Sequence, residues 1–223
     1  MSGLIFWDVD TQYDFMRSDG KLYVPQAEEI IPRLARLTRA AHEAGVRIVA
    51  SADDHEPGHR ELSDAPDFQE TFPPHCMRGT PGQRKIPETA LRDPLVIEPE
   101  PLPAAEVVAR VGRHRGDVLL HKHWFDVFTN PNVMPVLEAF DPERIVLYGV
   151  ALDVCNKYAI DGLLRHRPHT HLYAVTDAMK PIDATNATRL LHDWRERGVE
   201  LISTEEAIAL AGERPARHPV AGR

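Results

Sequence analysis

Six short runs of apolar residues, rich in Val, Ile and Leu, recur along the chain without clean alternation between apolar and polar positions. This pattern is typical of parallel strands that are covered on both faces. The runs predict strands at 4–10, 46–53, 117–123, 144–151, 171–177 and 199–203.

Apolar positions spaced three and four apart predict helices between these strands. The clearest helix repeats from Ile30 to Ala41, and Gly45 follows it as a stop signal. The predicted helices cover 30–41, 104–111, 132–140, 154–164, 184–197 and 205–210, with Thr204 as the cap of the last. Strands that alternate with helices imply right-handed crossovers, so the chain is predicted to form an α/β sandwich around a mostly parallel six-stranded sheet.

Two segments depart from this pattern. The segment 54–103 is crowded with Pro, Gly and His, and an irregular segment of that length is usually functional or disordered. The segment 213–223 is rich in Pro, Arg and Ala and is predicted to be a flexible tail. The remaining 1–212 are expected to form one domain, because 223 residues suit one large domain better than two small ones.

The net charge of the chain and its two cysteines indicate which binding partners and which compartment to expect. The formal net charge of −8 disfavours nucleic acid and anionic membranes. No apolar run approaches the ~20 residues that span a bilayer, and the first residues do not resemble a secretory signal. Cys76 and Cys155 are therefore expected to be reduced thiols of a cytoplasmic protein.

Chemically useful side chains stand where the predicted strands end. Ligands of open α/β sheets bind beyond the carboxyl ends of the strands. Four strand ends bring an acid, the start of an Asp/His cluster, a lysine and a cysteine to one edge of the sheet. These residues are Asp10, Asp53, Lys122 and Cys155.

Cys155 lies where a predicted strand turns into a helix. The positive end of the helix dipole favours thiolate over thiol there, and the backbone N–H groups can hold an oxyanion. Asp10 closes an apolar strand, where a carboxylate is costly unless it is paired. Lys122 closes another buried strand, and a nearby carboxylate would keep it charged. Together they provide the groups of activated-thiol catalysis; the alternatives are an inert buried cysteine and a turn or capping aspartate.

A possible metal site begins at the end of the second predicted strand. Asp53 and His55 can face one ion, and His75 can return through the long segment as a third ligand. Imidazoles with one carboxylate suit zinc, iron(II) or manganese. The chain has 12 histidines, so chance clustering is the alternative. A closed structural zinc site using Cys76 is disfavoured, because Cys76 directly follows His75.

Five segments resemble one known family in order and spacing over residues 4 to 208. They are VDTQYDF at 9–15, DDHEPGH at 53–59, FPPHCMRGTPG at 72–82, Lys122 with Phe128, and GVALDVC at 149–155. Taken together, they resemble the nicotinamidase branch of the isochorismatase-like cysteine hydrolases. The resemblance implies a three-layer α/β/α sandwich and a homo-oligomer.

The resemblance also implies a role for each reacting group. Asp10 would take the thiol proton, Cys155 would attack an amide carbonyl, and Lys122 would hold the pair in register. The oxyanion would rest on the backbone N–H groups of Ala151 and Cys155, and the Val150–Ala151 peptide bond would be cis. Ammonia would leave, and water would hydrolyse the thioester.

The resemblance further implies a divalent metal ion, zinc in the first place and iron or manganese otherwise, that anchors a ring nitrogen of the substrate. Asp53, His55 and His75 would bind it, with His59 as a further ligand or a supporting group. The pocket would be shaped by aromatic residues at Phe15, Phe72, Trp124 and Phe128.

Hydrolysis of nicotinamide to nicotinate and ammonia is the reaction that the resemblance implies first. Phe72 stands where relatives often carry Trp, Leu152 replaces a common Thr, and 123–125 are bulky. These departures leave room for an amidase or ureido hydrolase of another small amide. A metal-binding or partner-binding protein without turnover is the alternative from a different class.

Overall fold

The structure, a computed structural model, describes residues 3–213. Beyond Glu213, the tail predicted for 213–223 lies outside the described residues. Within 3–213, no helix is both long and apolar enough to cross a membrane.

In the described part of the chain, seven parallel strands form one sheet in the order β3-β4-β2-β1-β5-β6-β7. The strands are β1 (Leu4–Val9), β2 (Ile48–Asp53), β3 (Leu95–Ile97), β4 (Val118–Lys122), β5 (Arg144–Val150), β6 (His171–Lys180) and β7 (Glu200–Ile202). The predicted α/β class is confirmed, but the predicted count of six strands is wrong. Strand β3 lies within the irregular segment 54–103, and its three residues are too few to show a periodic pattern.

Helices cover both faces of the sheet. They are α1 (Tyr13–Met16), α2 (Ile31–Ala44), α3 (Ala104–Arg113), α4 (Val133–Phe140), α5 (Lys157–His166), α6 (Ala184–Glu196) and α7 (Thr204–Gly212). The last helix is capped by Ser203 rather than by Thr204. The Ser203 hydroxyl accepts from the backbone N–H of Glu206, whose side chain accepts from the N–H of Ser203 in return.

Two hydrophobic cores hold the three layers together. One face of β1, which includes Ile5 and Trp7, packs under α3, α4, α5 and α6. The other face, with Leu4 and Phe6, packs under α1, α2 and α7. Since neighbouring residues of a strand point to opposite faces, apolar residues at five of the six positions of β1 explain why its sequence shows no alternation. The central strands are thereby fixed from both sides, and so are the residues at their carboxyl ends.

Gly149 is the position of β5 where a side chain is least tolerable. Its φ is +119°, and a Cβ there would lie 2.0 Å from the carbonyl oxygen of Val9 on β1. We expect Gly149→Ala to lower the free energy of unfolding by about 3 kcal/mol, from backbone strain and overpacking. Gly112→Ala in α3, where a Cβ meets nothing within 4 Å, is the matched control and should stabilise by up to about 1 kcal/mol. Urea denaturation of both variants checks this, and equal effects would contradict it.

Candidate active site and metal centre

The chain gathers its titratable groups at the carboxyl edge of the sheet around β1. Strands β2 to β4 lie on one side of β1 and strands β5 to β7 on the other. The strand order therefore changes direction beside β1, as at the ligand-binding crevices of open α/β sheets. Asp10 follows β1, Asp53 ends β2, Lys122 ends β4 and Cys155 follows β5. The four residues therefore lie together at the carboxyl edge of the sheet, as predicted from the sequence.

Lys122 is the centre of this group and is completely buried. Its Nζ lies 2.9 Å from Oδ2 of Asp10, donates to Oδ1 of Asp53 and lies 3.9 Å from Sγ of Cys155. Burial opposes the charge of the ammonium group, but Asp10 and Asp53 raise the pKa of Lys122 well above its usual value. The lysine is therefore a fixed cation between two carboxylates and a sulfur.

Asp10 is the carboxylate that faces the thiol. Its Oδ1 accepts a hydrogen bond of 2.7 Å from the hydroxyl of Ser51, and the carboxylate and the thiol of Cys155 both lie beside Nζ of Lys122. Burial raises the pKa of Asp10 more than Lys122 lowers it. Burial also raises the pKa of Asp53, but Lys122 and His75 outweigh it and keep that pKa well below its usual range. Asp10 is thus the better proton acceptor of the two.

Cys155 lies in a π-helical turn, Leu152–Asn156, which joins β5 to α5. The helical segment therefore begins before the predicted residue 154. The Val150–Ala151 peptide bond that precedes this turn is cis, as the resemblance implied.

The thiolate expected from the helix dipole is not the resting form of Cys155. Burial, followed by the nearby carboxylates Asp10 and Asp53, raises the pKa of the thiol well above its usual value, although Lys122 acts in the opposite direction. The sequence shows where a helix begins but not how deeply the sulfur is buried. The resting thiol keeps its proton, and the adjacent Asp10 carboxylate is in place to receive it.

Four buried side chains beside this group could hold a metal ion: Asp53, His55, Glu61 and His75. Nε2 of His55 lies 3.9 Å from Asp53 and 4.0 Å from Glu61, and Nε2 of His75 lies 3.7 Å and 3.6 Å from the same two residues. Ligands of a tetrahedral ion with bonds of about 2.0–2.1 Å are about 3.3 Å apart. The cluster needs to contract only slightly around an ion.

The unpaired atoms of these groups also suit a divalent ion. Nδ1 of His75 donates to the carbonyl oxygen of Pro73 at 2.8 Å, so Nε2 is the nitrogen that faces the cluster. Despite burial, Asp53 and Glu61 raise the pKa of His75, and metal binding would displace the proton. Burial lowers the pKa of His55 to about 3 and, together with Asp53, raises the pKa of Glu61 to about 8. Nε2 of each histidine and Oε2 of Glu61 are buried without a hydrogen-bond partner. Two imidazoles and two carboxylates with unsatisfied atoms fit zinc, iron(II) or manganese.

Glu61 is the member of the cluster that the sequence did not reveal. The segment Arg60-Glu61-Leu62 looks like an ordinary exposed loop, and its one signal is a carboxylate between two predicted ligands. His59, which was considered instead, is not one of the four: its Nδ1 accepts from the backbone N–H of Glu56, and its ring lies on that of His123. Cys76 is fully buried in the core under α2 and does not join the cluster.

An apolar cavity opens between the thiol and the metal cluster. Its free space, including its mouth, is about 350 Å³. The lining residues are Phe15, Leu22, Val24, Asp53, Glu61, Phe72, His75, Phe125, Ala151, Val154, Cys155 and Ile182.

Two of the four predicted aromatic wall residues line this cavity, Phe15 and Phe72. Trp124 and Phe128 do not. Trp124 stacks between Phe125 and the guanidinium of Arg60, and Phe128 packs against α5 beside His166. Phe125, the neighbour of Trp124, contributes the wall instead, because the chain turns after β4 and directs the Trp124 ring to Arg60.

The fold and the site have the groups expected of a thiol-dependent α/β hydrolase. Residues 2–206 match the family model described as the isochorismatase domain. The chain therefore belongs to the isochorismatase family, and the family predicted from its motifs is confirmed.

Solved structures with the same fold include several hydrolases. A pyrazinamidase of Pyrococcus horikoshii in complex with zinc is 24% identical with a TM-score of 0.69, and the match covers 90% of this chain and 99% of that one. A pyrazinamidase/nicotinamidase of Streptococcus mutans is 23% identical with a TM-score of 0.67, and the match covers 89% of this chain and 99% of that one. An N-carbamoylsarcosine amidase of Thermoplasma acidophilum is 20% identical with a TM-score of 0.68, and the match covers 92% of this chain and 98% of that one. Among curated protein sequences, none matches the chain significantly.

Proposed function

We propose that the protein is a metal-assisted cysteine amidohydrolase that converts nicotinamide to nicotinate and ammonia through a thioester. One observation carries the proposal: the thiol of Cys155, which shares Lys122 with Asp10, lies on the same apolar cavity as members of the buried metal-binding cluster. A small carboxamide in that cavity reaches both the thiol and the cluster.

The reacting groups divide the chemistry between them. Asp10 accepts the proton of Cys155 as Sγ attacks the amide carbon, and Lys122 keeps the two groups in register. The backbone N–H groups of Ala151 and Cys155 hold the oxyanion. Asp10 then returns the proton to the nitrogen, ammonia leaves, and water hydrolyses the thioester to the acid.

Asp53, His55, Glu61 and His75 would hold the metal ion, and their set of donors fits one. When bound, the ion supplies a Lewis acid for a ring nitrogen of the substrate. The apolar walls, including Phe15 and Phe72, exclude water from the ring.

The charge of the cavity favours a neutral amide over a ureido acid. Among the residues that the structure describes, no arginine or lysine lines it, whereas the carboxylates of Asp53 and Glu61 do. A substrate carboxylate would therefore be buried without an arginine or lysine to pair with it, which is costly. A pyridine or pyrazine carboxamide avoids this cost and offers a ring nitrogen to the metal.

The test compares ammonia release from nicotinamide, pyrazinamide and N-carbamoylsarcosine. We expect both aromatic carboxamides to be hydrolysed and the ureido acid to be a poor substrate. Prior treatment with a chelator should suppress turnover, and zinc, iron(II) or manganese should restore it. Selective hydrolysis of the ureido acid would favour the second candidate function, and no ammonia from any of the three after metal addition would contradict the proposal.

A further inference from the structure

Two consecutive residues of the loop 54–94 stack on two consecutive residues that follow β4. The rings of His59 and His123 have centroids 4.1 Å apart with planes inclined by 34°. The guanidinium carbon of Arg60 lies 3.5 Å from the centroid of the Trp124 ring. We name these four residues the stacked clasp. Arg60 is exposed and the other three are half-buried, and none of the four lines the cavity or belongs to the metal-binding cluster.

Each side of the stacked clasp continues directly into the site. On one side, Arg60 is followed by Glu61, whose carboxylate joins the metal-binding cluster. On the other side, Trp124 is followed by Phe125, which lines the cavity; their rings are 4.3 Å apart. The contact between Arg60 and Trp124 therefore lies one residue from Glu61 and one residue from Phe125.

Glu61 needs such a support more than the other carboxylate of the cluster does. Asp53 ends a central strand and is fixed by β1 and β4, whereas Glu61 lies in a turn in which Leu62 N–H donates to the carbonyl of His59. The backbone carbonyl of Glu61 accepts from the N–H of Phe72, farther along the same loop. The stacked clasp ties this loop to the sheet next to Glu61.

We propose that the stacked clasp positions Glu61 for metal binding and Phe125 for the cavity wall, so that it sets the affinity for a divalent ion without touching the ion. Its four members are positioning residues. Cation–π attraction is directional, so Arg60 on Trp124 fixes an orientation that ordinary apolar contact would not. The inference rests on the proposed metal site, and the experiment separates the two.

The experiment measures the dissociation constant for zinc by competition with a chromophoric chelator. Arg60→Met keeps the stem but removes the cation, and Trp124→Leu removes the aromatic face. We expect each change to weaken zinc binding about tenfold, the range typical of groups that orient metal ligands. The double variant should be no weaker than either single variant, because both changes break one contact. Trp124→Phe, which keeps an aromatic face, should bind within about threefold of the wild type.

A kinetic readout tests the cavity wall. At saturating zinc, Trp124→Leu should raise the KM for nicotinamide more than it lowers kcat, because Phe125 touches the substrate space while Cys155 and Asp10 are unchanged. The separate variant Trp124→Phe should have the KM of the wild type, because it keeps an aromatic ring at this position. Loss confined to kcat would overturn this part of the proposal.

Two controls make the zinc measurement specific. Arg47 lies 4.4 Å over the ring of Phe140 at the opposite end of β2, so Arg47→Met removes a second cation–π contact far from the site. It should leave zinc affinity unchanged even if stability falls. In a Glu61→Ala background, Trp124→Leu should weaken zinc binding no further, because the carboxylate that Trp124 helps to position is already absent.

The outcomes separate the proposals. If Glu61→Ala weakens zinc binding but Arg60→Met and Trp124→Leu do not, the clasp is overturned and the metal site stands. If Arg47→Met weakens zinc binding as strongly as Trp124→Leu does, the effect reflects a general loss of stability, and the proposed role of the stacked clasp is again overturned. A wild-type protein that binds no zinc, iron(II) or manganese overturns both proposals.

Discussion

Replacement of Cys155 by alanine is expected to abolish ammonia release, with kcat/KM reduced by roughly 10⁴-fold or more. The reason is that the sulfur forms the covalent bond in the proposed reaction, and no other thiol lines the cavity among residues 3–213. The variant should keep its fold, since it loses one atom from the cavity wall. Zinc binding should also persist, because Cys155 is not part of the metal-binding cluster.

Cys76→Ala is the matched control for the nucleophile. Cys76 is the other buried thiol and lies in the opposite core without lining the cavity, so turnover should remain within severalfold of the wild type. Ammonia release is measured for both variants beside circular dichroism spectra. Turnover by Cys155→Ala at the wild-type rate would remove the nucleophile from the proposed reaction.

Replacement of Lys122 by methionine is expected to have the largest effect on stability. Removing the ammonium group leaves the carboxylates of Asp10 and Asp53 buried without their common cation. Breaking a buried ion pair in this way lowers the free energy of unfolding by about 3–5 kcal/mol. Turnover should fall as well, because the lysine holds Asp10 beside Cys155.

A second change distinguishes this electrostatic cause from simple misfit. In the Lys122→Met background, Asp10→Asn removes one of the two stranded charges, so part of the lost stability should return while turnover stays absent. Arg36→Met breaks an exposed pair with Glu205 and should leave the unfolding midpoint unchanged. Equal denaturation midpoints for Lys122→Met and the wild type would show that the lysine is not an electrostatic support.

The sequence predicts the sheet and its reactive edge because buried parallel strands leave a strong signal. Strand β1 is apolar at five of its six positions, and the residue that follows it, Asp10, is then conspicuous. Strand β3 left no such signal because three residues cannot establish a period. Position along a strand therefore located three of the four residues at the strand ends directly, namely Asp10, Asp53 and Lys122, and Cys155 followed from its distance to the end of β5.

The groups that the sequence did not predict depend on how a loop returns to the sheet. Nothing local distinguishes Glu61, which enters the metal-binding cluster, from the exposed Arg60 beside it. Likewise, the choice between Trp124 and Phe125 for the cavity wall depends on the turn after β4 and on a partner 64 positions earlier in the chain. The raised pKa of Cys155 was missed for a related reason, because burial and nearby charges are properties of the assembled site.

The separation between strand ends and the loop 54–94 has a consequence for how such a protein can diversify. Asp10, Lys122 and Cys155 belong to the scaffold, whereas Glu61, Phe72 and His75 belong to one continuous insertion between β2 and β3. A chimaera that exchanges this insertion with that of another family member would move Glu61, Phe72 and His75 together. Asp53, Phe15 and Phe125 lie outside the insertion and would be inherited with the scaffold.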